Sequence, residues 1–276
     1  MRLERGQVAA ITGGASGIGL GMAHAFADRG LDVVIADISD DALGAAVAEL
    51  EAKGVGALGV RTDVRDLDQV RALADATLER FGRVDVVCNN AGVVSAGVPI
   101  WEVPKEDWDW VVGVDLDGIV NGIRAFVPHL VAQNRGHVVN TSSMAGLLPQ
   151  PTAGAYVASK FAVVGISETL AMEFELFAPE VGVTVVCPGV VDTDILSSGR
   201  DVPSEIRMAE LHRQLTESDE GFENKVAGDG GIVDPSEVAA AVVDAIETRR
   251  LHIAPNGAPA AVAERSARLQ ADIAPS

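Results

Sequence analysis

Short apolar runs alternate with helix-like stretches along most of this chain of 276 residues, and this alternation limits the folds that it can adopt. Repeated strand–helix–strand units of this kind build a parallel sheet that helices cover on both faces. The predicted strands are 8–11, 31–36, a run ending at 60–64, 84–88, 137–141 and 183–187, and the longer predicted helices are 40–53, 66–80, 106–132 and 154–177. We therefore predict a single α/β domain, residues 1–276, with a doubly wound parallel sheet.

A glycine-rich turn follows the first predicted strand. Residues 12–19 read TGGASGIG and lead into a helical pattern that stops at Gly30. A strand, a glycine turn and a helix N-terminus in this order bring backbone N–H groups close to a pyrophosphate. The spacing of Gly13, Gly17 and Gly19 is G-x-x-x-G-x-G, which differs from the commoner G-x-G-x-x-G. A structural glycine turn at the end of a buried strand remains an alternative.

An acidic residue ends the second predicted strand. Asp37 lies eighteen residues after Gly19, close to the distance at which a carboxylate binds the ribose hydroxyls of a dinucleotide. Together the turn and the carboxylate favour dinucleotide binding.

The one tyrosine of the chain, Tyr156, lies four residues before Lys160. On a helix this spacing places both side chains on one face, where an ammonium group favours the ionised form of a phenol. A phenol has an unperturbed pKa of about 10, so a nearby cation would help it to act as a general base. An ordinary amphipathic helix face would show the same pair.

These motifs, with three others in order, resemble the short-chain dehydrogenase/reductase family over about residues 6–250. The segment 89–92 (NNAG) resembles the second glycine motif of the family, and 188–193 (PGVVDT) resembles the segment that passes the nicotinamide. Ser143 lies thirteen residues before Tyr156, which is the family spacing of the catalytic serine.

The resemblance implies a Rossmann-type fold, NAD as cofactor and hydride transfer to or from a secondary alcohol or ketone. Ser143, Tyr156 and Lys160 would form the catalytic group, with Lys160 lowering the phenol pKa and holding the nicotinamide ribose. Asp63 could reach the adenine, although a helix cap is an equal interpretation. The expected cofactor-binding residues are Gly13, Ser16, Gly17, Ile18, Gly19, Asp37, Asp63, Val64, Asn90, Ala91, Gly92, Tyr156, Lys160, Pro188, Gly189, Val191 and Thr193.

Two expectations concern specificity. Asp37 should favour NAD over NADP, since neither Ala15 nor Ile38 offers a basic side chain to a 2′-phosphate. The substrate should be lipophilic and of medium size, because the residues expected to line the opening are mostly apolar: Val94, Leu147, Leu148 and Gln150. Residues 194–230 form an insertion that would act as a lid, with a solvated helix as the alternative.

One position departs from the family pattern. The family usually has Asn where Asp115 stands, and that Asn helps to hold a water that connects the lysine to solvent. An aspartate can accept the same hydrogen bonds but cannot donate them, and its charge would raise the Lys160 pKa. We count Asp115 among the predicted catalytic residues.

Two other functions share the same motifs. A cofactor-binding regulator or scaffold without catalysis would usually lack the tyrosine or the lysine. An epimerase or dehydratase of the same fold would usually carry a longer substrate domain.

The amino-acid composition limits the classes of binding partner that the protein is expected to have. The net charge of −19 argues against nucleic acid and anionic membranes, and the lack of an export signal or a long apolar stretch predicts a cytoplasmic protein. Cys88 and Cys187 are expected to be buried free thiols, and the five histidines are not spaced as metal ligands, so we predict no metal site.

We also predict a homotetramer by resemblance to the family. The expected subunit contacts are apolar outer positions of the two long helices, Val120, Phe126, Phe161 and Leu170, and the Ala-rich tail 254–276 is a possible further contact.

Overall fold

A computed structural model of the chain describes residues 1–95, 97–193, 195 and 231–274. These residues form one parallel sheet of seven strands in the order β3-β2-β1-β4-β5-β6-β7, which confirms the Rossmann-type α/β prediction. The strands are β1 Val8–Thr12, β2 Asp32–Asp37, β3 Ala57–Arg61, β4 Val86–Asn89, β5 Gly136–Thr141, β6 Val181–Val186 and β7 His252–Ile253. The helices are α1 Gly17–Ala27, α2 Asp40–Ala52, α3 Leu67–Phe81, α4 Lys105–Val112, α5 Gly118–Gln133, α6 Gly154–Phe177, α7 Pro235–Thr248 and α8 Pro259–Ile273.

Successive side chains of the strands point to opposite faces of the sheet and pack into two hydrophobic layers, one on each face. Ala9 and Ile11 of β1 pack into the layer that α1, α2 and α7 cover. Val8 and Ala10 pack into the layer under α3, α5 and α6. Both layers are built mainly of buried apolar side chains, as expected for strands that helices cover on both sides.

Helix α1, which follows the glycine turn, packs closely on α7 from the far end of the chain. Met22, Ala23 and Phe26 of α1 share a buried cluster with Val238 and Val242 of α7. A Cβ on Gly21 would lie 2.9 Å from the Pro235 carbonyl oxygen, so this approach requires glycine. The packing fixes the direction in which the N-terminus of α1 points.

The predicted long helix changes its hydrogen-bond pattern near its middle. Residues 113–117 form a π-helical segment between α4 and α5, and the three segments follow one another without a gap, so the helix predicted over 106–132 is present but is not α-helical throughout. Inserted turns of this kind often mark functional sites, because they turn a side chain out of the regular register. Here the third residue of the segment is Asp115.

Other boundaries differ in smaller ways. Strand β3 ends at Arg61, so Thr62, Asp63 and Val64 belong to the loop after it. The tail contains a 15-residue helix, α8, in which no residue is buried. The insertion 194–230 lies outside the described residues except for Ile195, which is 38% exposed.

Two of the four expected subunit-contact residues are in the core. Phe126 and Leu170 are 1% and 6% exposed and pack under the sheet face, since α5 and α6 turn these positions inward. Val120 and Phe161 are half-buried.

Cys88 and Cys187 are buried free thiols, as predicted. Within the described ranges, no helix is both long and apolar enough to cross a membrane.

Candidate active site

The glycine turn leaves the N-terminus of α1 open. Gly13 and Gly17 have positive φ angles of 60° and 50°, and a Cβ on Gly19 would overlap the Gly13 carbonyl oxygen. Ser16 is the N-cap residue of α1, and its side chain makes no capping hydrogen bond. The first N–H groups of the helix, from Gly17, Ile18 and Gly19, therefore remain available to an anion, which fits the pyrophosphate of a dinucleotide.

The carboxylate of Asp37 lies against this turn. Its Oδ2 accepts a hydrogen bond from the Ala15 N–H at 3.4 Å, and its Oδ1 accepts one from the Ser39 N–H at 3.2 Å. The group is half-buried and sits at the carboxyl end of β2, where a ribose next to the pyrophosphate would lie.

Asp63 is already engaged by a neighbouring cation. Arg65 donates from Nη2 to Asp63 Oδ2 at 2.6 Å and from Nε to both carboxylate oxygens, and these bonds lower the pKa of Asp63. The helix-cap interpretation was wrong, because Asp66 caps α3. Val64 is buried against Gly118, so any cofactor contact there would use its main chain.

A chain of hydrogen bonds joins the glycine turn to the lysine. Asn90 donates from Nδ2 to the carbonyl oxygens of Thr12 and Gly13, at 3.1 and 3.3 Å. Its Oδ1 accepts from the Thr141 hydroxyl at 3.1 Å, and Lys160 Nζ donates to the Thr141 carbonyl oxygen at 3.3 Å. The predicted second glycine motif therefore connects the cofactor turn with Lys160. Ala91 also donates its N–H to the Thr12 hydroxyl, at 3.1 Å.

The two serines after β5 point in opposite directions, as their alternation predicts. The Ser142 hydroxyl is buried and donates to the Lys160 carbonyl oxygen at 2.8 Å. The Ser143 hydroxyl accepts from the Ala145 N–H at 3.1 Å, and its interaction with the phenol of Tyr156 acts to lower the pKa of that group. Ser143 thus faces Tyr156, and Ser142 fixes the backbone of α6.

Tyr156 and Lys160 lie together on α6, with Lys160 Nζ 5.4 Å from the centre of the phenol ring. Burial raises the pKa of Tyr156, and the charge of Lys160 acts in the opposite direction without overcoming it. The expected net lowering of the phenol pKa is therefore absent in the protein alone. Burial also acts to lower the Lys160 pKa, but Asp115 and Tyr156 outweigh it and the pKa is raised.

Asp115 forms a buried ion pair with the lysine. Its Oδ2 lies 3.4 Å from Lys160 Nζ, and its Oδ1 accepts from the Val93 N–H at 2.8 Å. The side chain is 0% exposed. Burial raises the Asp115 pKa, opposed by Lys160 and by the Val93 N–H. The carboxylate connects the π-helical segment, the loop after the NNAG motif and the catalytic helix.

Sequence comparison agrees with this arrangement. Residues 7–202 match the family described as short chain dehydrogenase. The chain belongs to the short-chain dehydrogenase family. It is an oxidoreductase that uses a nicotinamide cofactor.

Several dehydrogenases resemble this family member over most of its length. It is 33% identical over 250 residues to the C alpha-dehydrogenase of Sphingobium sp. strain SYK-6, covering 90% of this chain and 80% of the relative. It is 41% identical over 192 residues to 1-deoxy-11-beta-hydroxypentalenate dehydrogenase of Streptomyces exfoliatus, covering 69% of each. A solved short-chain dehydrogenase/reductase from Burkholderia phymatum, in complex with NAD, has a TM-score of 0.88 and 38% identity, covering 100% of this chain and 98% of the other.

The segment after β6 is held by a residue that the motifs did not indicate. Asn256, which is 3% exposed, accepts at Oδ1 from the Gly189 N–H and donates from Nδ2 to the Val190 carbonyl oxygen, both at 2.7 Å. The Pro188 carbonyl oxygen accepts from the Met144 N–H at 2.8 Å, next to Ser143. Val191 and Thr193 follow, and Thr193 Cγ2 lies 3.1 Å from the position that a Cβ on Gly17 would occupy. In this dehydrogenase the segment 188–193 therefore lies next to the glycine turn at 12–19.

Two loops of the short-chain dehydrogenase carry the predicted substrate residues. Val94 lies in the loop after β4, and Leu147, Leu148 and Gln150 lie in the loop after β5, all half-buried. The Gly97 N–H donates to the Thr152 carbonyl oxygen at 2.9 Å and joins the two loops. Thr152 has a φ of 60°, which is strained for a β-branched residue. No sequence motif indicated this contact.

Among the described residues, no group of three or more His, Cys, Asp or Glu side chains is arranged to bind a metal ion. His137, the most buried histidine, donates to or accepts from the Thr184 hydroxyl at 2.8 Å, and burial lowers its pKa to about 3.

Proposed function

We propose that this dehydrogenase transfers a hydride between NAD(H) and a secondary alcohol or ketone of medium size and lipophilic character. The observation that carries the proposal is the meeting of Ser143, Tyr156 and Lys160 at the same sheet edge as the open glycine turn. Substrate binding sites of such sheets lie at the carboxyl ends of the strands.

Each residue of this group has a distinct task. The Ser143 hydroxyl donates a hydrogen bond to the substrate oxygen, and Tyr156 exchanges a proton with that oxygen. Lys160 opposes the effect of burial on the phenol and so favours its ionised form. When bound, the nicotinamide supplies the hydride acceptor or donor. Asp115 and the Thr141 carbonyl oxygen hold the ammonium in place.

The lipophilic character rests on the two loops at the opening. Val94, Leu147 and Leu148 supply apolar surface there, and Gln150 supplies one polar group. Trp101 lies beyond the first loop and is 80% exposed. Two of the relatives are named as dehydrogenases, and the name of one specifies a hydroxypentalenate substrate, which supports a hydroxyl-bearing substrate for this chain.

The activity is tested with a panel of secondary alcohols and of the matching ketones, each assayed with NAD(H) and with NADP(H), by absorbance of the reduced cofactor. Turnover that increases with the apolar size of the substrate is the expected result. Turnover limited to small hydrophilic alcohols would contradict the lipophilic assignment, and no turnover with any member would contradict the enzyme assignment.

The wild-type enzyme is expected to prefer NAD, because Asp37 accepts from both ribose hydroxyls and repels a 2′-phosphate. Asp37→Ala should reduce the ratio of kcat/KM for NAD to kcat/KM for NADP by about tenfold or more, since it removes one carboxylate at that position. The comparison uses one alcohol and saturating substrate, with Asp41→Ala as a control in the neighbouring first turn of α2. A wild-type enzyme with equal or better kcat/KM for NADP would contradict the preference.

We further propose a homotetramer that packs α5 and α6 of neighbouring subunits together. A groove between these helices is lined by Ile123, Ala162, Gly165, Ile166, Thr169, Leu170 and Glu173. A Cβ on Gly165 would meet no atom within 4 Å, so a partner helix has room to approach. Met172, Leu176 and Phe177 extend the apolar surface and are 67%, 77% and 74% exposed.

Light scattering at micromolar concentration should give a mass of about four times 28.6 kDa. Ile166→Glu should reduce this mass, because it places a charge in the proposed helix contact. Ala48→Glu adds the same charge to an exposed position of α2 and should leave the mass unchanged. A wild-type mass of one subunit would refute the tetramer.

We further propose that the enzyme works in the cytoplasm. Its two cysteines, Cys88 and Cys187, are buried free thiols, which agrees with a reducing compartment.

A further inference from the structure

An arginine stands beside the proposed ribose site, on the strand next to Asp37. Asp37 ends β2, Arg61 ends β3, and the two residues are register partners in the parallel sheet. Register partners point to the same face, and here that face is the one covered by α1 and α2. The Thr62 N–H donates to the Asp37 carbonyl oxygen at 2.9 Å and fixes the two strand ends together.

The guanidinium of Arg61 is only loosely held. Its Nε lies 3.6 Å from Asp40 Oδ2, which is beyond hydrogen-bond distance, and the two side chains are 59% and 75% exposed. An exposed pair of this kind contributes little stability and rearranges readily. The charge of Arg61 also helps to lower the pKa of Asp63. Arg61 therefore lies between carboxylates without a fixed partner among the described residues.

We propose that Arg61 can bind the 2′-phosphate of NADP, and that the carboxylates of Asp37 and Asp40 prevent it from doing so in the wild-type enzyme. The inference rests on the proposed function, since it uses the ribose position assigned to Asp37. A guanidinium suits a phosphate because its N–H groups match two phosphate oxygens. The carboxylates of Asp37 and Asp40 would thus exclude NADP, although Arg61, a cation suited to phosphate, ends the strand next to Asp37.

The two positions that the sequence motifs place near a 2′-phosphate, Ala15 and Ile38, are not basic. Arg61 lies twenty-four residues after Asp37, and only the pairing of β2 with β3 brings it to this place.

The test measures binding of 2′,5′-ADP and of NADP to the purified protein by calorimetry, which does not depend on turnover. Asp37→Ala is the reference background. Adding Arg61→Ala to it should weaken both ligands by about tenfold or more, since a charge-assisted contact to phosphate is removed. Adding Asp40→Asn to it should strengthen them, because the competing carboxylate is neutralised.

A matched control is available on α3. Arg71 is also 59% exposed and pairs with Asp68 at 3.0 Å, away from β2. In the Asp37→Ala background, Arg71→Ala should leave the dissociation constants for 2′,5′-ADP and NADP unchanged. Equal binding of 2′,5′-ADP with and without Arg61 would overturn the proposal, as would an equal loss with Arg71→Ala.

The proposed NAD preference and the proposed role of Arg61 can be contradicted separately. A wild-type enzyme that prefers NADP would contradict the proposed NAD preference, whatever the variants show. A wild-type enzyme that prefers NAD, combined with no effect of Arg61→Ala in the Asp37→Ala background, would contradict the role of Arg61 alone.

Discussion

Replacing Tyr156 with phenylalanine is expected to lower kcat by about a hundredfold to ten-thousandfold, the range of a lost general acid–base group. The substitution removes the phenol oxygen that exchanges a proton with the substrate and keeps the ring that packs over Lys160. The dissociation constant for NAD should change little, because the glycine turn, Asp37 and the Lys160 contacts are unaltered.

The measurement combines steady-state kinetics with calorimetric binding of NAD to the same preparation. Ser142→Ala is a suitable control, since its hydroxyl also lies at the end of β5 but bonds to the Lys160 main chain. That variant should retain far more activity than Tyr156→Phe. A Tyr156→Phe enzyme that keeps more than about a tenth of the wild-type kcat would remove Tyr156 from the proposed mechanism.

The second large effect is expected for Asp115→Leu. This change leaves Lys160 buried without its ion-pair partner and leaves the Val93 N–H without its acceptor. Loss of one member of a buried pair lowers the free energy of unfolding by about 3–5 kcal/mol. We expect that loss in denaturant unfolding, together with a fall in kcat, because the ammonium loses the group that positions it.

Asp115→Asn separates the hydrogen bond from the charge. The amide can still accept a hydrogen bond, so most activity should remain. Asp115 raises the pKa values of both Lys160 and Tyr156, so neutralising it should lower both. Alcohol oxidation accelerates as Tyr156 loses its proton, and the rising limb of the pH–rate profile should therefore move to lower pH. If both Asp115 variants keep the wild-type kcat and pH profile, Asp115 is not a positioning residue.

Patterns that are local in sequence predicted much of this protein. The helix carrying Tyr156 and Lys160 runs over Gly154–Phe177, the predicted bounds, and its buried positions recur at helical spacing. The glycine turn after β1 was equally visible, since positive φ angles and close backbone contacts require glycine at fixed spacing. The orientation of Ser142 and Ser143 followed from strand alternation alone.

Contacts between distant segments were not predictable in the same way. The π-helical segment around Asp115 has no local signal, and its bond to Val93 depends on how the helix meets a loop twenty-two residues earlier. Asn256 and Arg61 acquire their positions only when β6 meets the C-terminal residues and β2 meets β3. The net pKa of Tyr156 depends on burial, which no motif reports.

The close packing of α1 against α7 has a consequence for the order of folding. The helix that presents its N-terminus to the pyrophosphate buries its apolar side against residues that are more than two hundred positions later. Contacts of such high sequence separation form late, because a long loop must be closed first. During synthesis, the glycine turn would therefore lack its final support until α7 has left the ribosome. Chains arrested before Pro235 are expected to expose Met22 and Phe26, to bind NAD weakly and to aggregate readily.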